Sequence, residues 1–167
     1  MQGEPASEIY WSLMILIAFL EAALSLSAQD VETRDKALRE IFDSLDKSLR
    51  EPDAAAFQAR WHAGGFEKNL VGGSGMSGKE VFDQGSRKKW FPKADLSKAQ
   101  ALGDGTAVLI PCEIWAREKD KGVDRVDFLL IQTQDGWRVL GGGEKRAEVE
   151  ALASRWLKKE PLDPNRV

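Results

Sequence analysis

Between Asp30 and Arg50 the apolar residues Leu38, Ile41, Phe42, Leu45 and Leu49 recur at helical spacing on one stripe, which predicts a long amphipathic helix. Pro52 breaks the chain, and Asp53 can cap a second helix through DAAAFQARWHA, with Phe57 and Trp61 four apart on one face and Gly64-Gly65 as its stop. FEKNLV (66–71) reads as a short strand before a GGSGMSG loop. A third helix opens at Ser77-Gly78-Lys79-Glu80, the S-x-x-E form of a capping box, and runs to about Phe91, where Pro92 ends it. Val81, Phe82 and Trp90 are its larger apolar residues.

The period then changes. LSKAQAL, TAVLIPCEIWARE, VDRVDFLLIQTQ and WRVLGGG are rich in Val and Ile and are separated by Gly103-Asp104-Gly105, Lys119–Gly122 and Asp135-Gly136. That pattern predicts an antiparallel meander of four strands, with a bulge or an edge position at Pro111. EKRAEVEALASRWLKKE closes the chain as a helix with Val149, Leu152, Ala153, Trp156 and Leu157 on its apolar stripe. Three helices, a sheet and a last helix make an α+β domain.

Strand alternation assigns the two sheet faces. Placing Cys112 opposite Phe128 gives one face of Val108, Ile110, Cys112, Ile114 and Ala116 beside Val126, Phe128 and Leu130, joined by Trp137 and Val139. This is the expected core face, free of acids. The other face carries Leu109, Leu129, Ile131 and Leu140, with Glu113, Trp115, Arg125 and Asp127 at its side. A contiguous apolar patch of that kind calls for a cover. Either the last helix folds over it, or a second copy of the chain does, which makes Leu109, Leu129, Ile131 and Leu140 the expected homodimer surface.

Ahead of the domain, residues 9–20 (IYWSLMILIAFL) hold eleven apolar side chains in twelve, and small residues follow up to Ala28. This is the form of an export signal cleaved after Ala28, with a membrane anchor or a buried helix as the alternatives. Glu4 and Glu8, and no Lys or Arg, stand where a signal normally carries positive charge. The expected division is thus residues 1–28 as signal or anchor, 29–160 as one domain and 161–167 as a tail, with the domain periplasmic or secreted.

The 167 residues carry 24 Lys and Arg against 27 Asp and Glu. Losing 1–28 removes three acids and no base, so the remainder is formally neutral and has no bulk electrostatic reason to bind nucleic acid or an anionic membrane. One His and one Cys cannot build a His/Cys zinc cage, and no metal or cofactor is expected.

The order of helices, the segment Gly78-Lys79-Glu80-Val81-Phe82 and the closing Asp135-Gly136-Trp137-Arg138-Val139 resemble the nuclear-transport-factor-2-like superfamily, with its SnoaL-like and ketosteroid-isomerase-like members, over roughly residues 30–143. The resemblance implies a cone: a curved sheet wrapped on helices, often enclosing a pocket and often dimeric through the sheet. The 17-residue helical tail departs from the shortest members. Isomerase-like members use a Tyr hydroxyl and carboxyl groups, but the single Tyr here is Tyr10, in the apolar leader. Limonene-epoxide-hydrolase-like members use an Arg and an Asp two apart on a strand plus a second acid. Arg125-Val126-Asp127 has that spacing, with Glu113 expected opposite Asp127, although no acid matches the pattern near Arg138.

His62, after Trp61, is a further acid–base candidate at a helix end where positive charge is favoured. The mid-strand Cys112 reads as a buried, inert thiol. Phe57, Trp61, Phe82, Trp90, Phe128 and Trp137 are the candidate lining of an apolar pocket. The expected function is therefore a non-catalytic exported domain that binds an apolar small molecule or a protein partner. The alternatives are a pocket enzyme of epoxide-hydrolase or isomerase type using His62, Glu113, Arg125 and Asp127, and a dimeric interaction domain without a cavity.

Overall fold

A computed structural model describes residues 6–116 and 121–163; within these, the side chains of residues 6–27, 121 and 123 are not described. The apolar segment at the N-terminus therefore lies outside the described side chains. Among the described residues no helix is long and apolar enough to cross a membrane. The chain forms two compact units, Met1–Ala37 and Leu38–Val167, and helix α1 (Ala6–Arg50) runs through both.

In the first unit α1 carries the ion pair between Arg34 and Asp35 (2.8 Å). The second unit begins on the predicted stripe, and Leu38, Ile41, Phe42, Leu45 and Leu49 are all buried. It continues through α2 (Ala54–Gln58), α3 (Ala63–Glu67), β1 (Gly75–Met76), α4 (Gly78–Lys88), β2 (Trp90–Ala94), a 3-10 turn at Leu96–Lys98, β3 (Gln100–Leu102), β4 (Ala107–Ala116), β5 (Lys121–Thr133), β6 (Gly136–Gly143) and α5 (Arg146–Leu157). The class is α+β: helices pack on a curved, unclosed, six-stranded antiparallel sheet, and a C-terminal helix follows it.

The strand order is β1-β6-β5-β4-β2, with β3 also paired to β4. The expected meander is present as β3 to β6, and two more strands extend it. β2 is one of them. The third helix stops at Lys89, which takes the left-handed conformation (φ 55°), and Trp90 to Ala94 turn into an edge strand that tolerates Pro92. The capping box of α4 forms as predicted: the Glu80 amide donates to the Ser77 Oγ and the Ser77 amide to the Glu80 carboxylate.

Three local expectations fail around residues 59–76. The second helix ends at Gln58, because Trp61 pairs with Val139 of β6 and the His62 amide donates to the Val139 carbonyl. Gly64 and Gly65 lie inside α3 rather than ending a helix, and FEKNLV is not a strand. The loop after α3 is tied by Asn69, whose Nδ2 donates to the carbonyls of Gly72 and Gly75 while its Oδ1 accepts from the amides of Val71 and Gly72.

Register differs from expectation by two residues. Cys112 pairs with Val126, Ile110 with Phe128 and Glu113 with Arg125, so Glu113 is not opposite Asp127. A shift of two conserves the faces while exchanging every partner. Pro111 breaks no ladder. The Asp95 amide donates to its carbonyl, so its missing N–H points the same way, toward the gap between β2 and β3.

Both faces of the sheet are covered. On one, Phe42 meets Phe128 edge-on (5.9 Å) and an aromatic chain runs on through Trp61, Phe57 and Phe82. On the other, Leu109, Leu129, Ile131 and Leu140 have 0% exposure beneath Val149, Leu152 and Ala153 of α5, with Leu70 and Val71 at the side. Of the two covers open to the patch, the last helix takes the position, so these four side chains do not face a partner. Ser74 holds the start of that helix, donating from Oγ (2.6 Å) and amide (2.9 Å) to the Glu148 carboxylate.

Candidate functional site

Residues near the start of α4 and the far ends of the strands line a cavity of about 240 Å³, open to solvent on one side, on the α1 side of the sheet. The capped helix α4 fixes one wall, from which Val81 and Gln84 point in, with Leu49 of α1 behind Gly85. The turn at Lys89 swings Trp90, Phe91 and Pro92 into a second wall. Strand alternation supplies the third, since Ile114, Val126 and Phe128 project from one face of β4 and β5. Ser74, Met76, Gly142, Gly143 and Glu144 complete the lining.

Of the six side chains expected to line a pocket, Trp90 and Phe128 do so. Phe57 and Trp61 are buried in the aromatic chain, with Phe82 beside Phe57. Trp137 is buried at the start of β6 opposite Gln132. Asp124 escaped the sequence reading. It stands opposite Ile114 and shares the parity of Val126 and Phe128, so it continues the expected core face outward as an exposed carboxylate at the cavity mouth. Strand alternation alone carried that signal, and the core face is not acid-free.

Three of the four acid–base candidates, Glu113, Arg125 and Asp127, line one open cleft together with Lys93, Asp95, Lys98 and Arg146, and His62 lies apart from them. Glu113 accepts from Trp115 Nε1 (3.1 Å) and lies 3.8 Å from the exposed Arg125 guanidinium, while Lys93 stacks over Trp115. Asp127 pairs with Arg146 of α5 (3.5 Å) rather than with Arg125. All three acid–base groups on β4 and β5 sit on the outer face of the sheet, away from the 240 Å³ cavity. An exposed ion pair of this kind contributes little, about 0–1 kcal/mol. Cys112 is buried, and burial, with Asp127 and Asp95 adding to it, pushes its thiol well above the ordinary range, so it stays protonated.

His62 is placed in a separate cleft with Trp156, whose ring it meets edge-on at 5.9 Å. It does not end a helix but starts one: Nδ1 accepts the Gly64 amide (3.2 Å) as the N-cap of α3. That position disfavours a cation, the reverse of the expected role. Desolvation lowers its pKa in the same sense. The folded state thus prefers the neutral ring, and its contribution is complete above the unfolded value near 6.5 and shrinks as pH falls from there toward the folded value. Urea midpoints at pH 7.5 and 5.5 should differ more for the wild type than for His62→Asn, which caps without titrating. Equal differences would dismiss the cap.

Among the described residues no group of three His, Cys, Asp or Glu side chains could hold a metal ion. No protein-family model, curated protein or solved structure matches this chain.

Proposed function

We propose that the chain is an exported, non-catalytic domain that binds a small apolar molecule in the cavity between α4, β2 and the strand ends. The observation that carries this reading is the wall chemistry: Leu49, Val81, Trp90, Phe91, Ile114 and Phe128 meet at one void, and its charged lining is confined to the exposed carboxylates of Asp124 and Glu144, with no His, Lys or Arg beside them. A volume of about 240 Å³ is small beside the ~300–1,000 Å³ of drug-sized sites, so the occupant is a short chain or a single ring. Burying it contributes about 25 cal/mol per Å² of apolar surface removed from water. The resemblance to the nuclear-transport-factor-2-like superfamily supports the same reading, because that fold commonly encloses a pocket.

Hexanol titrated into the full chain and followed by amide NMR should shift Gly85, Gly142 and Gly143. Val81→Trp, which fills the void, should weaken binding at least about tenfold while circular dichroism stays unchanged. Shifts that survive the filled variant would end the proposal. Export is tested separately by the N-terminus of the protein recovered from its host, with Gln29 as the expected first residue.

A further inference from the structure

We infer that the molecule held in this cavity is a cation, a small ammonium compound with an apolar body. The inference rests on the apolar-ligand reading and adds the sign of the head group. Two charged residues line the cavity, Asp124 and Glu144, and both are acids; no Lys or Arg lines it. Their placement follows from the strands. Asp124 projects on the inward face one step beyond Val126, and Glu144 follows the last residue of β6. Asp124 stands on β5 with Val126 and Phe128, and Glu144 follows β6, which pairs with β5, so a ligand lying on Phe128 and Val126 with its head outward would meet them.

Asp124 accepts the Arg125 backbone amide (2.8 Å), and among the described residues neither it nor Glu144 has an ion-pair partner. Two cations beside the aromatic walls are held on rings, Lys88 over Trp90 (4.3 Å) and Arg50 over Phe91 (4.5 Å), and neither lines the cavity; Glu144 also borders the cleft that holds Arg125 and Arg146. An apolar void whose charged lining is acidic favours a cationic head over a neutral one and disfavours a carboxylate.

The test compares three probes with one body: hexylammonium, hexanol and hexanoate, titrated into the full chain at low salt with Gly142 and Gly143 amide shifts as the readout. Hexylammonium should bind about three- to tenfold more tightly than hexanol, as two exposed ion pairs allow, and hexanoate most weakly. The preference should shrink in 0.5 M salt and vanish in the Asp124→Asn/Glu144→Gln variant, while hexanol affinity stays the same. Equal affinities for hexylammonium and hexanol, or a preference for hexanoate, would overturn the charge assignment and leave the apolar site standing. Failure of all three probes to bind would overturn both.

Discussion

Alanine at position 65 should destabilise the domain by about 3 kcal/mol or more, whereas alanine at the adjacent position 64 should be neutral or stabilising. A Cβ on Gly65 would lie 2.0 Å from the Leu140 carbonyl oxygen and 2.8 Å from its carbon. Both are backbone atoms of a strand paired on its other side, so neither can yield without moving β6. A Cβ on Gly64 would meet the His62 ring no closer than 3.4 Å, an ordinary contact, and alanine is the better helix former by about 1 kcal/mol. Thermal melts read both. Gly65→Ala should lose roughly ten degrees or fail to fold, and Gly64→Ala should hold its midpoint or gain a few degrees. Equal midpoints for the two variants would show that α3 does not press on β6 as described.

These two glycines also show why part of the fold was legible and part was not. Local rules read them as a helix stop, and propensity supports that. What decides their conformation is the approach of α3 to Leu140, a partner 75 positions away in sequence and invisible to any window. The same holds for Pro92, which reads as a terminator yet lies in β2 because the edge of the sheet needs no amide there. Where periodicity and burial coincide, the reading succeeds: the stripe of α1, the capping box of α4 and the alternation of β4 and β5 are local patterns that tertiary packing reinforces.

The site is a harder case. Its aromatic walls come from Trp90 and Phe128, both singled out from sequence, but Phe91 and Leu49 join them only through the turn at Lys89 and the path of α1. Arg125 and Asp127 share the sheet face that strand alternation already sets apart from the core face, and there they border a cleft with Glu113 and Arg146. Asp127 is drawn to Arg146, a residue of the tail helix 19 positions further along the chain.

That tail helix carries the remaining large effect. Leu152→Ala should cost about 3 kcal/mol, because Leu152 is fully buried against the patch of Leu129, Ile131 and Leu140 and its loss leaves a cavity between two layers that cannot close. The fit is close, since a Cβ on Gly141 would already stand 3.0 Å from a Leu152 methyl carbon and 2.9 Å from Val71. Leu152→Asp goes further. A carboxylate with no partner in that layer cannot stay buried, so α5 should lift and expose the patch it covers. The domain should then self-associate through Leu109, Leu129, Ile131 and Leu140, which sedimentation velocity would register as concentration-dependent mass above that of the wild type. The helix would thus be what keeps a ready-made apolar face from a second copy. A Leu152→Asp chain that sediments as the wild type does and unfolds at the wild-type urea midpoint would deny α5 that role.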